Sequence, residues 1–330
     1  ACPRACRCDE KRKIVYCNER GLHSVPHGIP TNTWILYLQH NLIGNSPSLE
    51  ANLAKLQNLQ RLFIHSNRMT SFPANLPSSL KYISLTQNNI KFIGKTALSG
   101  LGNLKELHLD SNNITIEGLS EDAFAPAVKL QELTLTQNSL TLIPTRLPPN
   151  LVSLRIDENR INDVRVTSLS SLKKLIILDL SDNEISDSSF EPGSLQQLES
   201  LRTIDLSGNR ITNIPQLPGN ITELLLSDNR IQYVFASRSQ DGEFPTRGDL
   251  QGYARLRKLD LSSNQLRSVE KGAFANLPST ISVELHDNPW RCDCNLQYLK
   301  RWMTYTTSVV RSSEGNIRCA APAVFSDVTV

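Results

Sequence analysis

Between Cys17 and Cys292 this 330-residue chain contains no cysteine. Neither disulfides nor Cys-bound metal can therefore organise its interior. No uninterrupted apolar run is long enough to cross a bilayer, which excludes a membrane span within the sequence. Charge of one sign is not in excess: the net charge is +3, which argues against a nucleic-acid partner and against an acidic tail. The sequence also lacks a nucleophile elbow, a phosphate loop, a His-Glu zinc helix and paired catalytic carboxylates, so it does not read as an enzyme and calls for no cofactor. Nothing resembling a signal peptide precedes Cys2, and Ala1 reads as lying near a processed mature N-terminus.

What the chain has in abundance is one pattern, Leu-x-x-Leu-x-Leu-x-x-Asn. It is plainest from Leu104 to Asn112 and from Leu201 to Asn209. Its last position recurs at Asn41, Asn67, Asn88, Asn112, Asn138, Asn159, Asn183, Asn209, Asn229, Asn264 and Asn288, eleven copies of the leucine-rich repeat signature. Alternating residues such as Leu107 and Leu109 point to one side of a short strand. One copy cannot bury them alone, whereas stacked copies form a continuous core. Each buried Leu is worth roughly 1.5–3 kcal/mol. The Asn turns the chain out of the strand and can bond backbone groups of adjacent coils, so that its loss strands buried groups at about 1–3 kcal/mol each. The expected fold is an α/β-type leucine-rich repeat solenoid. Its curved parallel sheet lines the concave face, and short helical, 3₁₀ or polyproline segments line the convex face.

The seven cysteines gather at the two ends: Cys2, Cys6, Cys8 and Cys17 in front, Cys292, Cys294 and Cys319 behind. That placement predicts disulfide-stapled caps in an oxidising compartment. The expected organisation is an N-terminal cap over residues 1–30, repeats over 31–290 and a C-terminal cap over 291–330. The odd cysteine count leaves either a free thiol or a chain that stops short of its partner, and the abrupt end at Val330 favours the second. In the rear cap Asn295 can cap a helix near residues 296–303, whose Leu296, Leu299, Trp302 and Met303 recur at helical spacing.

Successive Asn positions begin at intervals of 26, 21 and 24 residues and then repeat that triplet. The short copies carry Pro, as at residues 71–80 and 142–151, where a tight polyproline turn is expected. The longer copies carry segments such as 98–104 and 121–130, which suit helical or 3₁₀ turns. One interval, Asn229 to Asn264, is 35 residues, and its surplus forms a polar, Gly-containing loop at about 235–253.

The triplet and the front Cys-x3-Cys-x-Cys pattern resemble the small leucine-rich proteoglycans. The Cys8–Cys17 spacing resembles that of chondroadherin and oligodendrocyte-myelin glycoprotein, and the rear Asn288-Pro-Trp-Arg-Cys-Asp-Cys is similar to the caps of chondroadherin and nephrocan. The resemblance implies an extracellular, matrix-binding glycoprotein. It also implies pairing of Cys292 with Cys319, with the partner of Cys294 beyond Val330. Neither Ser99-Gly100 nor Ser207-Gly208 has the acidic flank expected for glycosaminoglycan attachment, so no such chain is expected.

Solenoids bind ligands on the concave face. The residues read as facing outward there are Trp34, Tyr37, His40, Phe63, His65, Tyr82 and His108, then Arg155, Asp157, Asp179, Asp205, Asp228, Asp260 and Glu284. The first group is aromatic and His-bearing, the second mostly acidic. Exposed aromatics anchor partners, and clustered carboxylates attract basic ones. Each group also has a plain structural reading: packing near the cap for the aromatics, and the common Leu-Asp-Leu-Ser filling of the repeat for the acids. The histidines read as contact residues, and no metal site is expected. At one strand per copy the face extends roughly 50 Å, which suits an extended protein ligand. Within the long loop, Arg247-Gly248-Asp249 matches the integrin-recognition tripeptide. Asn113-Ile-Thr and Asn220-Ile-Thr are glycosylation sequons.

The leading expectation is a secreted matrix protein binding collagen or a growth factor. The rival is the ectodomain of a cell-surface adhesion or signalling receptor. A third is an integrin-binding adhesion protein acting through residues 247–249. A second copy of the chain is a further candidate partner. The setting is the extracellular matrix or the outer face of the cell.

Overall fold

The computed structural model describes residues 1–236, 248–305 and 317–330, together with the backbone of 238–239, 245–246 and 309–311. It is a leucine-rich repeat solenoid in two compact units: residues 1–161 with 165–175, and residues 162–164 with 176–330.

The first unit opens on an antiparallel pair, Arg7–Asp9 with Ile14–Tyr16. The second of these strands starts a parallel series that continues through Ile35–Tyr37, Arg61–Phe63, Tyr82–Ser84, Glu106–His108, Glu132–Thr134 and Ser153–Arg155. The middle residues lie in register: Val15, Leu36, Leu62, Ile83, Leu107, Leu133 and Leu154. All are at most 2% exposed, so the alternation in the sequence places one side chain per strand inward and its two neighbours outward. The convex side is mostly turns, with i→i+3 backbone bonds such as Ala123 N to Ser120 O and Ala127 N to Phe124 O in the 121–130 segment. An eight-residue helix, Pro47–Ala54, forms where Ser46 accepts from Leu49 N and Pro occupies the first turn, and a single helical turn follows at Val166–Leu169.

The second unit repeats the scheme with Ile177–Asp179, Thr203–Asp205, Glu223–Leu225, Lys258–Asp260 and Ser282–Glu284 in parallel. Trp290 seals its end: it is fully buried and donates Nε1–H to Leu285 O at 3.1 Å. The helix expected near 296–303 runs Gln297–Tyr305, preceded by a 3₁₀ turn over Cys294–Leu296. Asn295, expected as the cap, lies inside that turn, whose own cap is Asp293: the Asp293 carboxylate accepts from Asn295 N at 2.9 Å. Leu296 and Leu299 are buried, and Trp302 packs against Phe274 at 4.8 Å between ring centroids. Disulfides join Cys2 to Cys8, Cys6 to Cys17 and Cys292 to Cys319, leaving Cys294 free and exposed.

The signature Asn is buried or nearly so, and its side chain makes a shared ladder. Asn112 donates to Leu85 O and Leu109 O and accepts from Ile90 N, all at 3.0–3.1 Å. Leu85 O also accepts from Asn88, and Leu109 O from Asn138. Each such carbonyl is thus held by two consecutive asparagines. The residue before the Asn turns the corner in the left-handed region, as at His40 (φ 57°), Ser111 (φ 54°) and Asp228 (φ 52°). Non-Gly residues tolerate that region at some cost, which the ladder bonds offset.

Candidate functional site

In the first unit the outward positions form an aromatic ladder. Tyr16, Tyr37 and Phe63 share one register column and stack with centroids 5.1 and 4.7 Å apart. The next residue of that column is Ser84, small and buried. Tyr82, two residues earlier on the same strand, fills the space, 4.9 Å from Phe63 and 5.3 Å from His108. Offset ring pairs of this kind add about 0.5–1.5 kcal/mol beyond burial. Cations cover the ladder: Arg7 lies 4.3 Å over Tyr16 and Arg61 lies 4.6 Å over Tyr82. Trp34 sits just before its strand, 44% exposed, beneath Lys13 at 4.3 Å. His65 packs edge-on against His40 at 5.5 Å. Burial, then the nearby His40, lower the pKa of His65, so this ring favours its neutral form.

The sequence reading brought together most of this cluster but placed two residues imperfectly. His40 is a corner residue and not a strand-face residue, and so is Asp228 in the second unit. It missed Tyr16, which lies in the cap ahead of the first repeat signature, and Arg61. It also missed a polar network beside the ladder. Thr134 Oγ1 donates to Asp110 Oδ2 at 2.9 Å and lies 2.8 Å from His108 Nδ1. Asp157 accepts from Thr136 Oγ1 at 2.7 Å. Arg155 occupies the same column as His108 and Thr134.

In the second unit Asp179 and Asp205 lie in register, Leu225 interrupts the column, and Asp260 and Glu284 resume it. Much of this acidity is folded back on the chain. Asp179 accepts from Ser181 N and Oγ at 3.0 and 2.7 Å, and Asp260 from Ser262 N and Oγ at 3.0 and 2.6 Å. The Leu-Asp-Leu-Ser filling is thus a local hydrogen-bonded turn. Burial pushes the Asp205 carboxyl up, outweighing its bonds from Ser207, and Asp179 and Asp182 push the same way. Glu284 is raised first by its hydrogen bond with Asp260 and then by burial. A carboxyl raised in the folded state stabilises the fold at low pH, and that contribution is lost as pH rises through the folded pKa. Asp205→Asn is therefore expected to raise the urea midpoint at pH 7 and to leave it nearly unchanged at pH 3. A lowered midpoint at pH 7 contradicts this reading.

The expectation of an exposed acid at Asp249 is not met. Asp249 is 7% exposed. Its carboxylate accepts from Phe235 N at 2.9 Å, and its own N–H donates to Phe235 O at 3.0 Å. Gly248 lies so close to Ala236 O that any side chain there would clash, and Gln251 caps its N–H. The tripeptide's last two residues pin the inserted segment to the solenoid, and Arg247 lies outside the described residues. Leu250 and Tyr253, at the end of that segment, are core residues. Both sequons present exposed asparagines, with Asn113 bonded to the side chain of Asn89.

Stacked coils, an asparagine ladder, end caps held by disulfides and a broad sheet face define the extracellular class of leucine-rich repeat domain. The "Leucine rich repeat" family profile matches residues 78–140 and 149–211, and a second profile of the same description matches 255–277. The chain belongs to the leucine-rich repeat proteins. It is 37% identical over 316 residues to leucine-rich repeat transmembrane protein FLRT2 of Rattus norvegicus, covering 93% of this chain and 45% of that protein. It is 32% identical to keratocan of Gallus gallus over 58% of this chain and 61% of that protein. It superimposes with TM-score 0.90 on a chain of the octameric complex of Latrophilin 3, Unc5D and FLRT2 (LRR), at 33% identity, covering 99% of this chain and 96% of that one. The chain spans about half the length of the FLRT2 relatives it matches. The matrix proteoglycan likeness is the more partial of the two.

Proposed function

We propose that this domain is the ligand-binding ectodomain of a cell-surface adhesion or signalling receptor, and that the aromatic ladder on its sheet face is the principal contact. The observation that carries the reading is the likeness to a transmembrane protein across 93% of the chain. The keratocan likeness, over 58%, supports the matrix alternative less well. The ladder supplies what a protein partner needs: half-buried rings held flat, overlaid by Arg7 and Arg61. Large rigid aromatics lose little entropy on binding and dominate interface energies. The partner chemistry that fits is a protein surface with apolar anchors and carboxylates for those cations. Latrophilin-type and Unc5-type ectodomains are the first candidates, because they accompany FLRT2 in the complex this chain resembles.

The test is surface plasmon resonance of this chain against immobilised latrophilin 3 (Lec, Olf), Unc5D and triple-helical collagen. Saturable micromolar or tighter binding to either ectodomain, with none to collagen, is the expected result. Binding to collagen alone returns the domain to the matrix class.

A further inference from the structure

We propose that Glu106, His108 and Glu132 form a divalent transition-metal site on the sheet face of the first unit, with zinc as its best-fitting ion. Glu106 and Glu132 occupy the same register position on neighbouring strands, and His108 follows Glu106 by two residues, on the same face. One ligand atom from each lies within 4.8 Å of the other two. Like charges placed directly opposite on adjacent strands repel. Glu132 has no hydrogen-bond or ion-pair partner among the described residues.

The second observation comes from outside the triad. The Asp110 carboxylate can only accept, so the Thr134 hydroxyl spends its proton on Asp110, 2.9 Å away. Thr134 Oγ1 must then accept from His108 Nδ1–H at 2.8 Å. That fixes the ring orientation and puts the neutral ring's proton on Nδ1. Nε2 is the atom turned towards the carboxylates, 3.4 Å from Glu106 Oε2, an ion pair when the ring is protonated and a lone pair open to a metal when it is neutral. A ring nitrogen whose partner nitrogen donates into a hydroxyl–carboxylate relay is how proteins orient a metal-ligating histidine. One imidazole nitrogen and two carboxylate oxygens make a zinc-type donor set with a coordination position left for water or for a group on a binding partner. The nitrogen ligand argues against calcium, which takes oxygen. Zinc bonds of about 2.0–2.1 Å need donors roughly 3.3 Å apart, a closure that rotation of the half-exposed Glu106 and Glu132 side chains supplies. This site stands independently of which partner the ladder binds.

The test is isothermal titration of Zn²⁺, with Ca²⁺ in parallel, into the chelator-treated chain at pH 7.4. Cys294→Ser is introduced throughout to remove the exposed thiol. One zinc per chain at micromolar or tighter affinity is expected, with no calcium signal. Glu132→Gln, nearly isosteric on the surface, and His108→Asn are each expected to weaken binding at least about 10-fold. Thr134→Val, which among the three ligands touches His108 alone, is expected to weaken it roughly 10–100-fold and to shift the His108 tautomer balance in nitrogen-15 NMR spectra. No zinc binding at millimolar concentration overturns the proposal. So does binding that Glu132→Gln and His108→Asn leave unchanged, or a preference for calcium.

Discussion

Replacing Tyr37 and Phe63 together by Ala is expected to weaken binding of a protein partner on the order of 100–1,000-fold while leaving the chain folded. The size follows from the two rings being the centre of the ladder, with centroids 4.7 Å apart and flanked by Tyr16 on one side and Tyr82 on the other. Central aromatic anchors typically cost about 2 kcal/mol or more each on truncation, and about 1.4 kcal/mol corresponds to tenfold in affinity. Their loss also unseats Arg61, which lies over both Phe63 and Tyr82. Folding survives because the inward residues of the same strands and corners, Leu36, Leu38, Leu62 and Ile64, are fully buried and untouched. The measurement is surface plasmon resonance alongside a circular-dichroism melt. The paired substitution Asp179→Ala/Asp205→Ala is expected to change affinity by less than the aromatic pair, because Asp179 is already bound to Ser181 and Asp205 to Ser207. If the acidic pair proves the more damaging, the ladder is not the principal contact.

The second large effect concerns stability, and the asparagine ladder ranks its own members. Asn112→Ala removes a donor from Leu85 O and Leu109 O, but each keeps its other asparagine; only Ile90 N is left without its partner. At about 1–3 kcal/mol for a stranded buried group, with a small cavity added, the expected loss is roughly 2–3 kcal/mol. Asn288 stands at the end of the ladder and its Oδ1 accepts from both Asn264 N and Leu266 N at 3.1 Å. Asn288→Ala strands two buried N–H groups and is expected to cost roughly 3–5 kcal/mol. Urea denaturation of the two variants against an exposed control, Asn32→Ala, checks the ranking. Equal losses in all three would mean that the ladder bonds are replaced by water.

Much of the fold was legible because a repeat prints the same physical requirement many times. The inward Leu column, the Asn corner and the disulfide-stapled caps follow from the repeat and from where the cysteines gather, whereas the Cys292–Cys319 pairing was implied by the resemblance of the rear cap. The ladder was legible only in part. Tyr37 and Phe63 announce themselves by their place between two buried leucines, or between Leu62 and Ile64. Tyr16 has that alternation too, in Ile14-Val15-Tyr16, but stands in the cap ahead of any Asn. Asp249 was misjudged because a polar, Gly-rich sequence reports local flexibility and says nothing of the Phe235 backbone that folds onto it. The Glu106–His108–Glu132 triad was invisible because two of its members look like ordinary solvated charges until the register sets them side by side.

Hydroxyl-radical footprinting of the chain, alone and saturated with whichever ectodomain it binds, tests the central claim most directly. Tyr37, Phe63 and Tyr82 are partly exposed and are expected to react in the free chain. Their protection in the complex, with exposed aromatics such as Phe92 and Tyr305 remaining reactive, is the predicted result. Unchanged oxidation of the ladder in a saturated complex would contradict it.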